Sequence, residues 1–214
     1  MAYVSLIIFL ISVVIHLYAS WHKDKPLRNR TKPFIMLSLL AYYCFSTGRI
    51  LVAVVLALVF SWFGDLLLIP DGIKWFTAGG ISFMVSHFFF ILSYSLFVDF
   101  SSINVVFVIL LPALYLIAAL VSFRCMCPYL NKALSYPMLL YLLINGGMNC
   151  FAWFRALSDS GLSAVLTVIG ACLFFISDTA LFFVRFNKNS RLKSHFIVML
   201  TYALAELLIV MGLI

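Results

Sequence analysis

Three carboxylic acids and one imidazole stand in apolar stretches of this 214-residue chain, where a charge is costly. They are Asp65, His87, Asp178 and Glu206. The other four of its seven acids, Asp24, Asp71, Asp99 and Asp159, fall between such stretches or at their ends. An acid at the centre of a bilayer costs about 2.5–3.5 kcal/mol on insertion scales, so it faces a cavity or a partner. One such acid is often only a hydrogen bond between helices. Three acids and a histidine in a small bundle point to function. Paired carboxyls out of water suit acid–base work, because two that interact strongly share one proton and titrate as a unit.

The elements that must carry them follow from composition. Hydrophobic residues make up 65% of the chain and charged residues 10%. A soluble domain would carry about 25% charged residues. The apolar runs are continuous rather than alternating, which excludes barrel strands. At roughly 20 residues per crossing, the length allows about eight transmembrane helices. The expected fold is an all-α polytopic membrane bundle in one domain, residues 1–214. The spans read as Tyr3–Ser20, Pro33–Thr47, Ile50–Ile69, Trp75–Phe97, Asn104–Phe123, Tyr136–Phe154, Leu162–Val184 and Phe196–Ile214. The second is short.

Charge sets the orientation. The connections after the first, third, fifth and seventh spans hold Lys23, Lys25, Arg28, Arg30, Lys32, Lys74, Arg124, Lys132, Arg185, Lys188, Arg191 and Lys193. The other side holds Arg49 and Arg155. By the positive-inside rule the basic loops are cytosolic and both termini lie on the non-cytosolic side. The first cation, Lys23, follows the first apolar run, whereas a cleaved signal peptide carries its charge before that run. The expected location is a multi-pass integral membrane protein, in the cytoplasmic membrane if the source is bacterial. The net charge of +7 fits loops against anionic lipid head groups better than nucleic-acid binding. The cysteines, Cys44, Cys125, Cys127, Cys150 and Cys172, have neither disulfide-framework nor zinc spacing.

Depth brings the acids together. Asp65 lies four residues before Ile69 and Asp178 seven before Arg185, on helices of the same direction. At 1.5 Å per residue they sit about 6 and 10 Å inside the cytosolic boundary. His87 and Glu206 are deeper, each thirteen residues beyond a lysine, Lys74 or Lys193. Ser61 is one turn from Asp65, Tyr202 one turn from Glu206, and Asn145 one turn from Asn149. Together these groups could line one cavity open to the inner leaflet. The matched polar positions on the third and seventh helices, and on the fourth and eighth, also suggest two four-helix halves related as parallel repeats.

The residues resemble the YhhN-like lysoplasmalogenase family of multi-pass membrane hydrolases over nearly the whole chain. The resemblance begins at Thr31-Lys32-Pro33. Phe60-Ser61-Trp62-Phe63-Gly64-Asp65 is similar to the family's F-S-x-x-G-D. Gly79 or Gly80, Phe83, Ser86 and His87 are similar to G-x-x-x-F-x-x-S-H. Tyr141, Met148 and Ala152 follow the sixth helix. Gly170-Ala171, Phe174 and Ser177-Asp178 resemble G-A-x-x-F-x-x-S-D, and Thr201-Tyr202, Ala205 and Leu208-Ile209 the last motif. This chain departs at Phe90, where the family often has Tyr, and at Glu206, where it often has Gln.

The resemblance implies hydrolysis of the vinyl ether of a lysoplasmalogen to a fatty aldehyde and glycerophosphoethanolamine or glycerophosphocholine. Asp65 and Asp178 would be the catalytic pair, in either order of roles. Ser61, His87, Asn145, Asn149, Ser177, Tyr202, Glu206 and Lys32 would line the cavity. No cofactor or metal is implied, and the partners are the lysophospholipid and membrane lipids. A vinyl ether resists hydroxide and hydrolyses by protonation at carbon, through an oxocarbenium ion that water captures. Glycosidases meet a similar cation with two carboxyls. The same acids would also serve a proton-coupled transporter or a lipid-binding protein. A metal hydrolase is less favoured, since zinc sites usually hold two or three N or S ligands and His87 is the only deep one.

Overall fold

A computed structural model describes residues 1–130, 132–186 and 195–214, except the side chains of residues 132 and 133. Among these the chain forms eight α-helices and one short 3-10 turn, with no strand. The helices are α1 (Ala2–Trp21), α2 (Lys25–Ser46), α3 (Val52–Leu67), α4 (Ile73–Ser95), α5 (Val105–Met126), α6 (Lys132–Ser158), α7 (Leu162–Phe186) and α8 (His195–Leu213). Helices are the expected solution, because in lipid every backbone N–H and C=O must be satisfied within the chain. Six of them, α1 and α4 to α8, are long and apolar enough to cross a membrane. Their outward faces are apolar, as at Ile7, Ile11 and Val14 on α1 and Ile109, Leu116 and Ile117 on α5, while serines, asparagines and acids are buried. The chain is thus a multi-pass membrane protein.

Two helices differ from the expected spans. The basic stretch before Pro33 is not a loop but the first turns of α2, which starts at Lys25. Asp24 caps it by accepting from the Leu27 amide at 3.0 Å, and Pro26 fits the first turn, where no amide partner is needed. These turns carry Lys25, Arg28, Arg30 and Lys32, which takes α2 out of the apolar six. The helix α3 has only 16 residues and is short for a crossing. Arg155, expected in an outer loop, is 4% exposed near the end of α6. It donates to Thr167 Oγ1 and to the Gly212 carbonyl, each at 2.7 Å, and stacks 4.7 Å over the Phe97 ring. Lys188, Arg191 and Lys193 lie outside the described residues.

Helices adjacent in sequence pack as neighbours except α4 and α5; α4 packs against α6 instead, and α8 also packs against α1 and α2. Small residues let the backbones approach, which is what drives association where lipid is as apolar as leucine. A Cβ at Gly79 would lie 3.2 Å from the Gly64 carbonyl, and one at Gly170 would lie 2.7 Å from the Ala205 carbonyl. Ser177 Oγ donates to the Val198 carbonyl at 2.8 Å. Gly64 and Ser177 each precede an aspartate, and Gly79 and Val198 each lie eight residues before the deep polar group of their helix. The α3–α4 and α7–α8 hairpins therefore meet in matched register. The turn between α3 and α4 needs Gly72, whose φ of +125° is closed to side-chain-bearing residues.

Candidate active site

A cavity of about 300 Å³ lies between the lower ends of α2, α3, α7 and α8. Asp65 and Asp178 both line it, as do Lys32, Ser177 and Tyr202. Its floor is the carboxyl pair and its mouth is basic, with Lys25, Arg28 and Arg185 on the rim.

The two carboxyls are held differently. Asp65 is engaged at both oxygens: Lys32 Nζ lies 3.2 Å from Oδ1, and the Tyr202 hydroxyl donates to Oδ2 at 3.0 Å. Lys32 reaches it because α2 begins early enough to bring this cation down to the level of Asp65. Asp178 is engaged on one side only. The Tyr141 hydroxyl donates to Oδ2 at 2.5 Å and Asn145 Nδ2 donates to the same oxygen at 2.7 Å. His87 Nε2 lies 3.7 Å from that oxygen as well. Oδ1 of Asp178 has no hydrogen-bond partner among the described residues.

The polar residues expected along the cavity divide into a wall and a layer behind it. Lys32, Ser177 and Tyr202 stand on the wall with the two aspartates. Ser61, His87, Asn145, Asn149 and Glu206 are fully buried and stand behind. His87 packs edge-on against Tyr141 and Phe174, at ring separations of 5.4 and 4.8 Å, with no hydrogen-bond partner on either nitrogen among the described residues. Asn149 donates to the Asn145 side-chain oxygen at 3.1 Å and so orients the amide that binds Asp178. The Ser61 and Ser86 hydroxyls meet at 2.8 Å, tying α3 to α4. The Glu206 carboxyl stands beside the Ser61 hydroxyl of that pair.

Tyr141 is the partner that residue-type reasoning left as a motif position. It forms a ladder at four-residue spacing with Asn145 and Asn149, so the face it shares with them was the available signal. Tyr141 also borders a narrow apolar groove between α4, α6 and α7, lined by Ile81, Met84, Pro137 and Met138. A small pocket at Phe76, Gly80, Tyr141 and Asp178 lies between groove and cavity. The acid pair therefore sits where a polar basin meets an apolar channel. Among the described residues, no three of His, Cys, Asp and Glu are grouped as a metal site requires.

A multi-pass helical membrane protein with two buried aspartates at the floor of a basic-mouthed cavity is the class that this fold and site define. Within that class the chain belongs to the YhhN family, whose sequence profile matches residues 27–213 and so takes in both aspartates and every helix from α2 to α8. Among curated proteins and among solved structures, no match was found.

Proposed function

We propose that the protein is a membrane hydrolase that cleaves the vinyl ether of lysoplasmalogens, with Asp65 and Asp178 as its catalytic pair. The observation that carries this reading is the unequal engagement of two carboxyls on one cavity. Family membership is consistent with it.

The chemistry needs an acid and an anion. Asp178, whose partners all address Oδ2, keeps Oδ1 free to carry a proton towards the cavity. That proton goes to the alkene carbon remote from oxygen and leaves an oxocarbenium ion. Asp65, ion-paired with Lys32, is the anion that stabilises this cation and orients water onto it. Water adds, its proton passing to a carboxylate, and the hemiacetal collapses to a fatty aldehyde and the glycerophospho alcohol. The sum is one water consumed and one C–O bond broken. Tyr141, Asn145 and Tyr202 position the carboxyls. His87 closes the wall behind Asp178.

The expected result with purified protein in detergent is release of fatty aldehyde from a lysoplasmalogen, with none from the acyl lysophospholipid of the same head group. A chelator is expected to leave the rate unchanged. Absence of aldehyde would remove the hydrolase reading. Loss of activity with chelator, restored by a metal, would replace the acid pair with metal-assisted hydrolysis. Transport of the lipid without turnover would favour a carrier.

The membrane arrangement belongs to the same proposal. All eight helices cross or enter the bilayer as one domain, α2 and α3 included, with both termini opposite the basic ends. In a bacterium this would be the cytoplasmic membrane. Tags on the two termini are expected to be accessible from outside intact cells. A cysteine at Arg30 is expected to label only after the cytosol is opened. A cytosolic C-terminus would reduce the number of crossings to an odd one.

A further inference from the structure

The cavity mouth carries more positive charge than its own acids neutralise. Lys25 Nζ lies 2.5 Å from Asp71, and that contact holds the exposed Asp71 carboxyl below its usual range. Lys32 is taken by Asp65. Arg28 and Arg185 remain: neither guanidinium has an ion pair or hydrogen bond among the described residues, and the acid near them, Asp71, is already held by Lys25. Arg185 rests 5.7 Å over the Phe76 ring, which orients it without neutralising it. His195 stands beside both arginines and Lys32. Like charges gathered in a concavity repel and concentrate anions there.

We propose that this rim is a phosphate subsite, in which Arg28 and Arg185 hold the head-group phosphate of the lipid whose chain reaches the aspartates. The identity of the lipid rests on the reading above; the anion site does not. Guanidinium forks pair with phosphate oxygens two at a time, which a lysine cannot do. The spacing fits. Arg185 is seven residues from Asp178 on one face of α7, about 10 Å along the helix. Arg28 is one turn outside Lys32 on α2, about 6 Å. The glycerol unit between a vinyl ether oxygen and its phosphorus spans five bonds, roughly 6–7 Å at about 1.5 Å each less their zigzag. With the phosphate at the rim, the scissile bond lies at the floor. The hydrocarbon then continues past Gly80 and Tyr141 into the apolar groove.

The test uses the full-length protein in detergent and three probes: a saturated alkyl lysophospholipid, which cannot be hydrolysed, the alkylglycerol of equal chain length, and glycerophosphate. The alkyl lysophospholipid is expected to bind at least tenfold more tightly than either other probe. Arg28→Gln and Arg185→Gln are each expected to weaken it at least fivefold, leaving alkylglycerol binding unchanged. With a turned-over substrate the same variants are expected to raise KM and spare kcat. Lys74→Gln, which removes one charge from the same side but off the cavity, is expected to change nothing.

Unchanged lysophospholipid affinity in the double arginine variant would overturn the subsite. Equal weakening by Lys74→Gln would overturn it too, in favour of diffuse attraction. Glycerophosphate binding as tightly as the lysophospholipid would overturn the lipid assignment and leave a free phosphate as ligand. Arginine-dependent binding without vinyl ether turnover would keep the subsite and remove the hydrolase reading. Turnover with arginine-independent binding would do the reverse.

Discussion

Asp178→Asn is expected to slow aldehyde release by roughly 10²–10⁴-fold, the usual range for removing a general acid. The protein should remain folded and inserted, because an amide keeps the size of the side chain. It also keeps an oxygen to accept from Tyr141 and Asn145. What it loses is the proton on the other arm. Asp65→Asn is expected to cost a similar factor by a different route. It removes the negative charge that faces the developing cation, and it leaves the Lys32 ammonium, 3.2 Å away, without a counter-ion. The double variant should be little slower than either single one, since groups that act as a unit are not additive. The wild-type rate should pass through a pH optimum bounded by two apparent pKa values belonging to the pair, and each single variant should lose one limb. The measurement is aldehyde release under single-turnover conditions, with size-exclusion profiles as the check on folding. Near-normal turnover in either single variant would refute the pair.

Gly170→Leu is expected to prevent a stable bundle, and even Gly170→Ala to destabilise it by about 1–3 kcal/mol, the range for overpacking. A Cβ at Gly170 would stand 2.7 Å from the Ala205 carbonyl oxygen and 2.9 Å from the Ile209 amide nitrogen. Both are backbone atoms, so no rotamer change relieves the clash and α8 must move as a body. The same movement would carry Tyr202 and its hydrogen bond away from Asp65, so activity should fall with stability. Gly80→Ala is the comparison, because nothing lies within 4 Å of a Cβ built there. It should unfold at the wild-type temperature in the same detergent. Equal thermal stability of the Gly170 and Gly80 variants would show that α7 and α8 do not pack as described.

The helices and both aspartates could be read from the chain because the signals are local. A continuous apolar run is a helix in lipid, and an acid inside one is conspicuous. What local patterns omit is how far a side chain lies from the bundle axis. Ser61, Asn145 and Glu206 are polar in the same way as Ser177 and Tyr202, yet they sit behind the wall rather than on it. Helical periodicity gives a face, and only the packing of neighbours decides whether that face meets a cavity or another helix. Arg155 shows the same limit. It follows an apolar run as a loop cation would, but the Gly212 carbonyl and Thr167 hydroxyl give it an interior site. The start of α2 was hidden because its charges look like a loop, although Asp24 three residues before Leu27 is a cap signal. Arg28 and Arg185 went unremarked for the same reason: as topological markers they needed no further use.

The polar mouth of the cavity lies on the basic side of the bundle. A lipid with its head group at that mouth comes from the monolayer on that side, and its products return there. Single-chain lipids are wedge-shaped, wider at the head than at the tail, and crowd the monolayer that holds them. An enzyme that drains them from one face only, as proposed, changes the area of that face relative to the other. Its output would then be mechanical as well as chemical: a shift in the preferred curvature of the membrane, sustained until lipids cross between the faces.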